Sequence, residues 1–320
     1  ARSNSKRKSF AFIASIGFAV VAVSAGAGGF VYWRTKVVPE RAVAMAMAEF
    51  ERLRAFIHAE LGIKMPSAKR TLLESRLQKR LKTLSIRSFS DYCEYVFSPK
   101  GISEELIHMI DLVTTNKTDF FREVHHFKFL ADSVLHALVS ERGAGKKKPL
   151  RLWSAGCSSG EEPYTIAMVL NEFGRINPAL GFDYSIVATD ISTRVLEAAR
   201  RGVYSEAQAA PIPNDLKRRY LLRSREAARG VVRIVPELRA KTRFCRLNFM
   251  DAEFNFSEPL DIIFCRNVVI YFDKATQEKL FTKFCDCLGK GSYLFIGHSE
   301  TLSGFNLPIE KVSTSVYRKI

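Results

Sequence analysis

The residues best suited to chemistry stand together in one short stretch, LWSAGCSSGEEPYTIAMVL, from Leu152 to Leu170. An apolar run ends in Ala155-Gly156-Cys157-Ser158-Ser159-Gly160, small residues that let a ligand approach the backbone where the next helix begins. Bare N–H groups at such a helix start would suit a phosphate, yet Glu161 and Glu162 occupy the first turn. Two carboxylates there agree with the helix dipole and repel a phosphate, so a cationic or hydroxyl-bearing ligand is expected. No Gly-Lys-Ser/Thr follows, which disfavours a nucleotide triphosphatase. About 30 residues further on, Asp190 closes a second apolar run. An acid at that place can hold the two hydroxyls of a ribose, with capping of the next helix as its other role.

These residues need a scaffold, and the periodicity supplies one. Apolar runs of strand length, at 149–156, 183–190, 260–267 and 293–299, alternate with helical stretches at 161–173, 192–201 and 274–288. Strands buried on both faces and separated by helices predict an α/β, doubly wound, Rossmann-like sheet, whose ligands bind beyond the carboxyl ends of the strands. The nucleoside that carries positive charge instead of phosphate is S-adenosylmethionine, and it is the expected cofactor. Ahead of the sheet, residues 39–115 read as an all-helical domain. Phe50, Leu53, Phe56, Ile57 and Leu61 form one stripe, a second helix follows Pro66, and two more lie at 89–98 and 103–115. Residues 116–148 read as a linker helix. From 149 to 320 runs the sheet domain, with an antiparallel β insert at about 218–247 that is signalled by Val232, Ile234 and Phe244.

Five separated motifs, LVTTNKTDFFREVHHFKFL (112–130), WSAGCSSGEEPYTIAM (153–168), ATDIS (188–192), CRNVVIYFD (265–273) and GHSE (297–300), occur in the order of a known family. The chain from about residue 45 to 320 resembles the CheR family of chemoreceptor glutamate O-methyltransferases. The resemblance implies methyl transfer from S-adenosylmethionine to receptor glutamates, giving methyl esters and S-adenosylhomocysteine. It also implies cofactor contacts at Asn116, Thr118, Arg122, Gly156, Glu161, Asp190, Asn248, Phe249, Arg266 and Asn267. The resemblance further implies that residues 116–148 include a cofactor-closing segment, that 149–320 is the methyltransferase domain and that Tyr271 lies near the transferred methyl; Arg122 and Tyr271 are the expected catalytic pair, acting by positioning. His125 and His126 are read as structural, because an ionised glutamate is its own nucleophile and needs no imidazole base. Two alternatives stay open: a nucleic-acid methyltransferase, and a non-catalytic docking module on the same fold. The insert turn Ser224-Arg225-Glu226-Ala227-Ala228-Arg229 lacks the glycines expected of members that bind a receptor tail.

The charge balance is strongly basic, with 49 Lys+Arg against 33 Asp+Glu and a formal net charge of +16. That favours an acidic partner. The second helix concentrates the excess, and Lys69, Arg70, Arg76, Lys79 and Arg80 are expected to dock chemoreceptor cytoplasmic helices, with nucleic acid the less favoured partner. Six cysteines without CxxC pairs read as reduced core thiols, no metal is expected, and the chain is read as a monomer. Phe10 to Trp33 holds 24 residues without a charge, long enough to span a bilayer. An anchor holding a cytoplasmic catalytic domain at the inner membrane, a signal peptide cut after Ala25-Gly26-Ala27, and a plain extension are the readings of residues 1–38.

Overall fold

The computed structural model describes residues 44–224 and 230–320. The apolar stretch 10–33 and the insert turn from Arg225 to Arg229 lie outside them. Among the described residues no helix is long and apolar enough to cross a membrane.

Five helices come first: α1 (Met47–Leu61), α2 (Arg70–Leu84), α3 (Phe89–Val96), α4 (Pro99–Glu104) and α5 (Leu106–Val113). Apolar residues recurring every three to four positions give the two long helices a buried stripe: Phe50, Leu53, Ile57 and Leu61 on α1, and Leu73, Leu77 and Leu81 on α2. The hydroxyls of Ser88 and Ser98 accept the N–H groups of Asp91 and Gly101, which starts α3 and α4. At the centre sits Glu105, 1% exposed. It accepts hydrogen bonds from Arg80 Nε at 2.9 Å, from Arg80 Nη2, and from the Tyr92 hydroxyl at 3.0 Å. A carboxylate buried this deeply persists only with such partners.

Two expected docking residues are therefore engaged inside the fold. Arg80 holds Glu105. Arg76 donates to the carbonyls of Val113 at 2.7 Å and Thr114 at 3.2 Å and to Thr115 Oγ1 at 3.1 Å, satisfying the open carbonyls at the end of α5. Arg70 and Lys79 remain exposed.

A helix in three pieces follows: α6 (Val124–Phe129), a π turn at Leu130–Val134 and α7 (Leu135–Arg142). The remainder contains β1 (Leu150–Ala155), α8 (Glu161–Ile176), β2 (Tyr184–Asp190), α9 (Thr193–Arg201), β3 (Val203–Ser205), α10 (Asn214–Tyr220), β4 (Leu221–Arg223), β5 (Val231–Ile234), α11 (Pro236–Ala240), β6 (Thr242–Arg246), β7 (Leu260–Cys265), α12 (Lys274–Cys287), β8 (Leu288–Ile296), β9 (Ile309–Ser313) and β10 (Val316–Lys319). The large sheet runs β6-β2-β1-β7-β8-β10-β9. Its first five strands are parallel, and β10 and β9 close the edge antiparallel.

Alternation along the strands splits the core into two layers. Leu152, Ile262, Phe264 and Phe295 pack on one face against Ile166 and Leu170 of α8. Trp153, Ile263, Cys265 and Leu294 pack on the other against Leu280, Phe281 and Phe284 of α12. Apolar residues are required at consecutive positions because both faces are covered.

The small antiparallel sheet is real, but it runs β3-β5-β4 and starts at Val203. Phe244 does not belong to it. It lies on β6, pairing in parallel with Ala188 of β2, so the pattern that suggested an insert strand is an edge of the main sheet. All six cysteines are free thiols.

Candidate functional site

β1 and its neighbours β2 and β7 set the position of the site, because a parallel sheet opens a crevice where the connections leave its central strand in opposite directions. After Ala155 the chain turns at Gly156, with φ +82°, and both Gly156 and Cys157 donate their N–H to the Thr189 carbonyl at 2.8 Å. A Cβ on Gly156 would lie 2.5 Å from Val268 Cγ2, so only glycine keeps this strand end open. The loop is then pinned by Asp190. Its Oδ2 accepts the Ser158 N–H at 2.8 Å and its Oδ1 accepts the Ser192 N–H at 3.0 Å. Burial pushes the Asp190 carboxyl upward, and the backbone N–H groups of Ser192, Ser158 and Ile191 oppose that shift. Each oxygen keeps acceptor capacity for a hydroxyl.

A cavity partly open to solvent spreads over these strand ends. Asn116, Thr118, Arg122, Gly156, Asp190, Asn248, Phe249, Arg266, Asn267 and Tyr271 all line it. Glu161 does not. It is 3% exposed, and its Oε2 accepts the Ser159 hydroxyl at 2.7 Å. Glu162 takes the lining position, with Oε1 accepting from Ser154 Oγ at 2.7 Å and Oε2 3.6 Å from Arg266 Nε. Adjacent residues on a helix point about 100° apart, so one of the pair must face away. Burial raises the Glu162 carboxyl, while the Arg266 guanidinium draws it back down.

The strand end after β7 is held by Glu300 of the GHSE motif. Its carboxylate accepts the N–H groups of Asn267, Val268, Val269 and Gly297 at 3.1, 2.9, 3.0 and 2.6 Å. That clamp holds Asn267 in a left-handed conformation, φ 59°. Arg266 is 2% exposed at its side chain, lies 5.2 and 5.9 Å from the centres of the stacked Phe127 and Phe264 rings, and donates to the Arg122 carbonyl. Glu123, 3.5 Å from Arg266 Nε, also accepts from Asn267 Nδ2 at 3.3 Å. Burial would raise the Glu123 carboxyl, but Arg266, Asn267 and the His298 N–H outweigh it and hold it low.

The segment before α6 covers the Gly-rich turn: the Asn116 carbonyl accepts from Ser158 Oγ at 2.8 Å. Asn248 lines the cavity with its carboxamide already committed, Nδ2 donating to the Glu60 carbonyl at 2.7 Å and Oδ1 accepting from the Met250 N–H at 3.0 Å. Lys69 is also a lining residue, its Nζ 5.8 Å from the centre of the Tyr271 ring. The helical domain holds Tyr271 directly. Lys64 donates its N–H to the Tyr271 carbonyl at 2.7 Å, Ile63 bridges Phe272, and His58 contacts Asp273 at 2.9 Å.

Beside the cavity, His125, His126 and His298 form a cluster. Burial pushes His126 down to about 3, with Arg266 adding to the effect, so its imidazole is neutral.

The wound sheet, the glycine turn, the acid ending β2 and a second carboxylate, Glu162, in the first turn of the following helix are the features of an S-adenosylmethionine-dependent methyltransferase. Residues 116–318 match the model of the CheR methyltransferase SAM binding domain, and residues 48–114 that of the CheR methyltransferase all-alpha domain. The chain belongs to the CheR methyltransferase family. It is 42% identical over 271 residues to a chemotaxis protein methyltransferase of Borreliella burgdorferi, covering 85% of this chain and 94% of that one. Chemotaxis protein methyltransferase 2 of Pseudomonas aeruginosa is 38% identical, over 84% of this chain and 92% of its own. The chemotaxis protein methyltransferase of Escherichia coli is 38% identical, over 82% of this chain and 87% of its own.

Proposed function

We propose that the chain methylates glutamate side chains on the cytoplasmic helices of chemoreceptors, forming methyl esters and releasing S-adenosylhomocysteine. The distribution of charge in the cavity supports this reading best. Its acids, buried Asp190 and partly buried Glu162, suit ribose hydroxyls and the cationic end of the cofactor, while Lys69 and Arg122 suit an incoming carboxylate and the deeply buried Arg266 is already faced by Glu123 and Glu162. Asp119 is an exposed exception. Among the described residues no histidine lines the cavity.

Bound S-adenosylmethionine supplies a methyl group on a positively charged sulfur. Asp190 is assigned to the ribose, Glu162 to the amino end, and Asn116 and Thr118 to the segment that covers them. Arg122 and Tyr271 orient the substrate carboxylate, which is ionised at neutral pH and attacks without a general base. Too tight an Arg122 pair would dull that nucleophile, so orientation and exclusion of water are the roles left to the protein. The names of the relatives agree with a chemotaxis substrate.

Incubation with labelled cofactor and either receptor-bearing membranes or RNA separates the readings. Base-labile label on receptor protein is expected, as for an ester. Label on RNA, or base-stable label on protein, overturns the proposal.

A further inference from the structure

The cluster beside the cavity holds chemistry that methyl transfer does not use. His125 and His126 stand at the start of α6 and His298, 173 positions after His125, follows β8, yet one nitrogen from each lies within 4.8 Å of the others. The Nε2 atoms of His125 and His298 are in direct contact. His126 is fully buried, and neither of its ring nitrogens has a hydrogen-bond partner. An imidazole without donor or acceptor in the interior is costly, and a fold retains it where a further group completes it. Glu123 Oε2 is likewise buried without a hydrogen bond, 3.4 Å from His126 Nδ1 and 3.9 Å from His298 Nε2.

We propose that His125, His126 and His298, with the Glu123 carboxylate, form a binding site for a borderline divalent transition ion, of which zinc is the reference case. Imidazole nitrogens with one carboxylate oxygen select zinc, cobalt or nickel over magnesium or calcium, which prefer all-oxygen sites. Ligands about 2.0–2.1 Å from zinc lie near 3.4 Å from one another in a tetrahedron, so small side-chain rotations bring the present nitrogens into place. His298 is 44% exposed at its side chain, which leaves a path for the ion and for a water ligand. The Arg266 guanidinium is a nearby positive charge, and Glu123 stands between it and the imidazoles. An ion there would tie the segment covering the cofactor to the end of β8. Local spacing carries no sign of this site, since adjacent histidines match no metal motif and the third ligand comes from the far end of the chain.

The test uses the full chain, freed of metal by a chelator and desalted, and titrated with zinc chloride by calorimetry and with cobalt(II) by visible absorption. One ion per chain and the visible bands of low-coordinate cobalt are expected. His125→Ala with His298→Ala should weaken zinc binding at least tenfold, about 1.4 kcal/mol. Zinc should raise the unfolding temperature of the parent chain and leave that of the double variant unmoved. His298→Ala alone, at a half-exposed position, gives the same reading if the double variant folds poorly. The proposal is overturned if the parent binds no ion at micromolar zinc. It is also overturned if the variants bind zinc as tightly as the parent, for the ion would then sit on the free cysteines or elsewhere.

Discussion

Asp190, buried, and Glu162, partly buried, are the carboxylates at the cavity's strand ends, whereas Glu161 accepts a hydrogen bond from Ser159 and points away. Removing the charge of Glu162 as Glu162→Gln is expected to weaken cofactor binding by roughly 1.5–3 kcal/mol, the scale of a hydrogen bond to a charged group. Glu161→Gln should leave the affinity alone. Calorimetry with S-adenosylhomocysteine and S-adenosylmethionine checks both, and equal losses would remove the distinction. Arg122 and Tyr271 lie at the part of the cavity assigned to the substrate, so Arg122→Ala and Tyr271→Phe should lower kcat far more than cofactor affinity. Parallel losses in kinetics and in calorimetry would make them plain binding residues.

The helices hold these residues through a few buried polar contacts, and two of these make separate predictions. Arg80→Ala leaves the Glu105 carboxylate buried without its cation and should cost about 3 kcal/mol of stability. Lys79→Ala, one residue earlier and exposed, should stay within about 0.5 kcal/mol. Denaturant midpoints compare them. On α8, Glu172 accepts from the Tyr220 hydroxyl at 2.6 Å, from Arg175 Nη2 at 2.8 Å and from Arg219, which binds α8 to α10 beside the small sheet. Burial pushes its carboxyl up, but these donors outweigh burial and hold it at about 2, against 4.5 ordinarily. The unfolded chain thus takes up a proton that the folded chain refuses. The stabilisation is fully present above the unfolded value and is lost as pH falls from about 4.5 toward 2. Glu172→Gln should lower stability at neutral pH and flatten the acid slope in that window. A difference between parent and variant that does not change with pH, measured by thermal unfolding, would remove this account.

At the scale of the whole molecule the charge of +16 acts on encounter more than on chemistry. A receptor's acidic helices would feel the basic face of α2 over a screening length of about 8 Å at physiological salt. With Arg76 and Arg80 committed to the fold, reversing them would report instability instead of docking. Arg70→Glu with Lys79→Glu is the cleaner pair. It should lower the second-order rate of receptor methylation and flatten its dependence on salt, with cofactor affinity unchanged. Receptor methylation untouched by this reversal while RNA binding disappears would make the face a nucleic-acid footprint.

Much of this protein is written locally. Apolar runs of strand length with helices between them are legible because a strand covered on both faces must be apolar at nearly every position. Asp190 and the glycine turn are legible because the ends of such strands are where the chain can meet a ligand. The tertiary structure decided what no window along the chain contains. It turned Glu162 toward the cavity in place of Glu161, a difference of one helical step. It joined Phe244 to β2, since an alternating pattern states that a strand exists without naming its partner. It drew Arg76 and Arg80 into the helical domain, because a long cationic side chain on a helix reads the same whether it meets water or a buried carboxylate. And it brought His298 against His125, where the nearness arises only when β8 lies beside β7 and α6 packs across their ends.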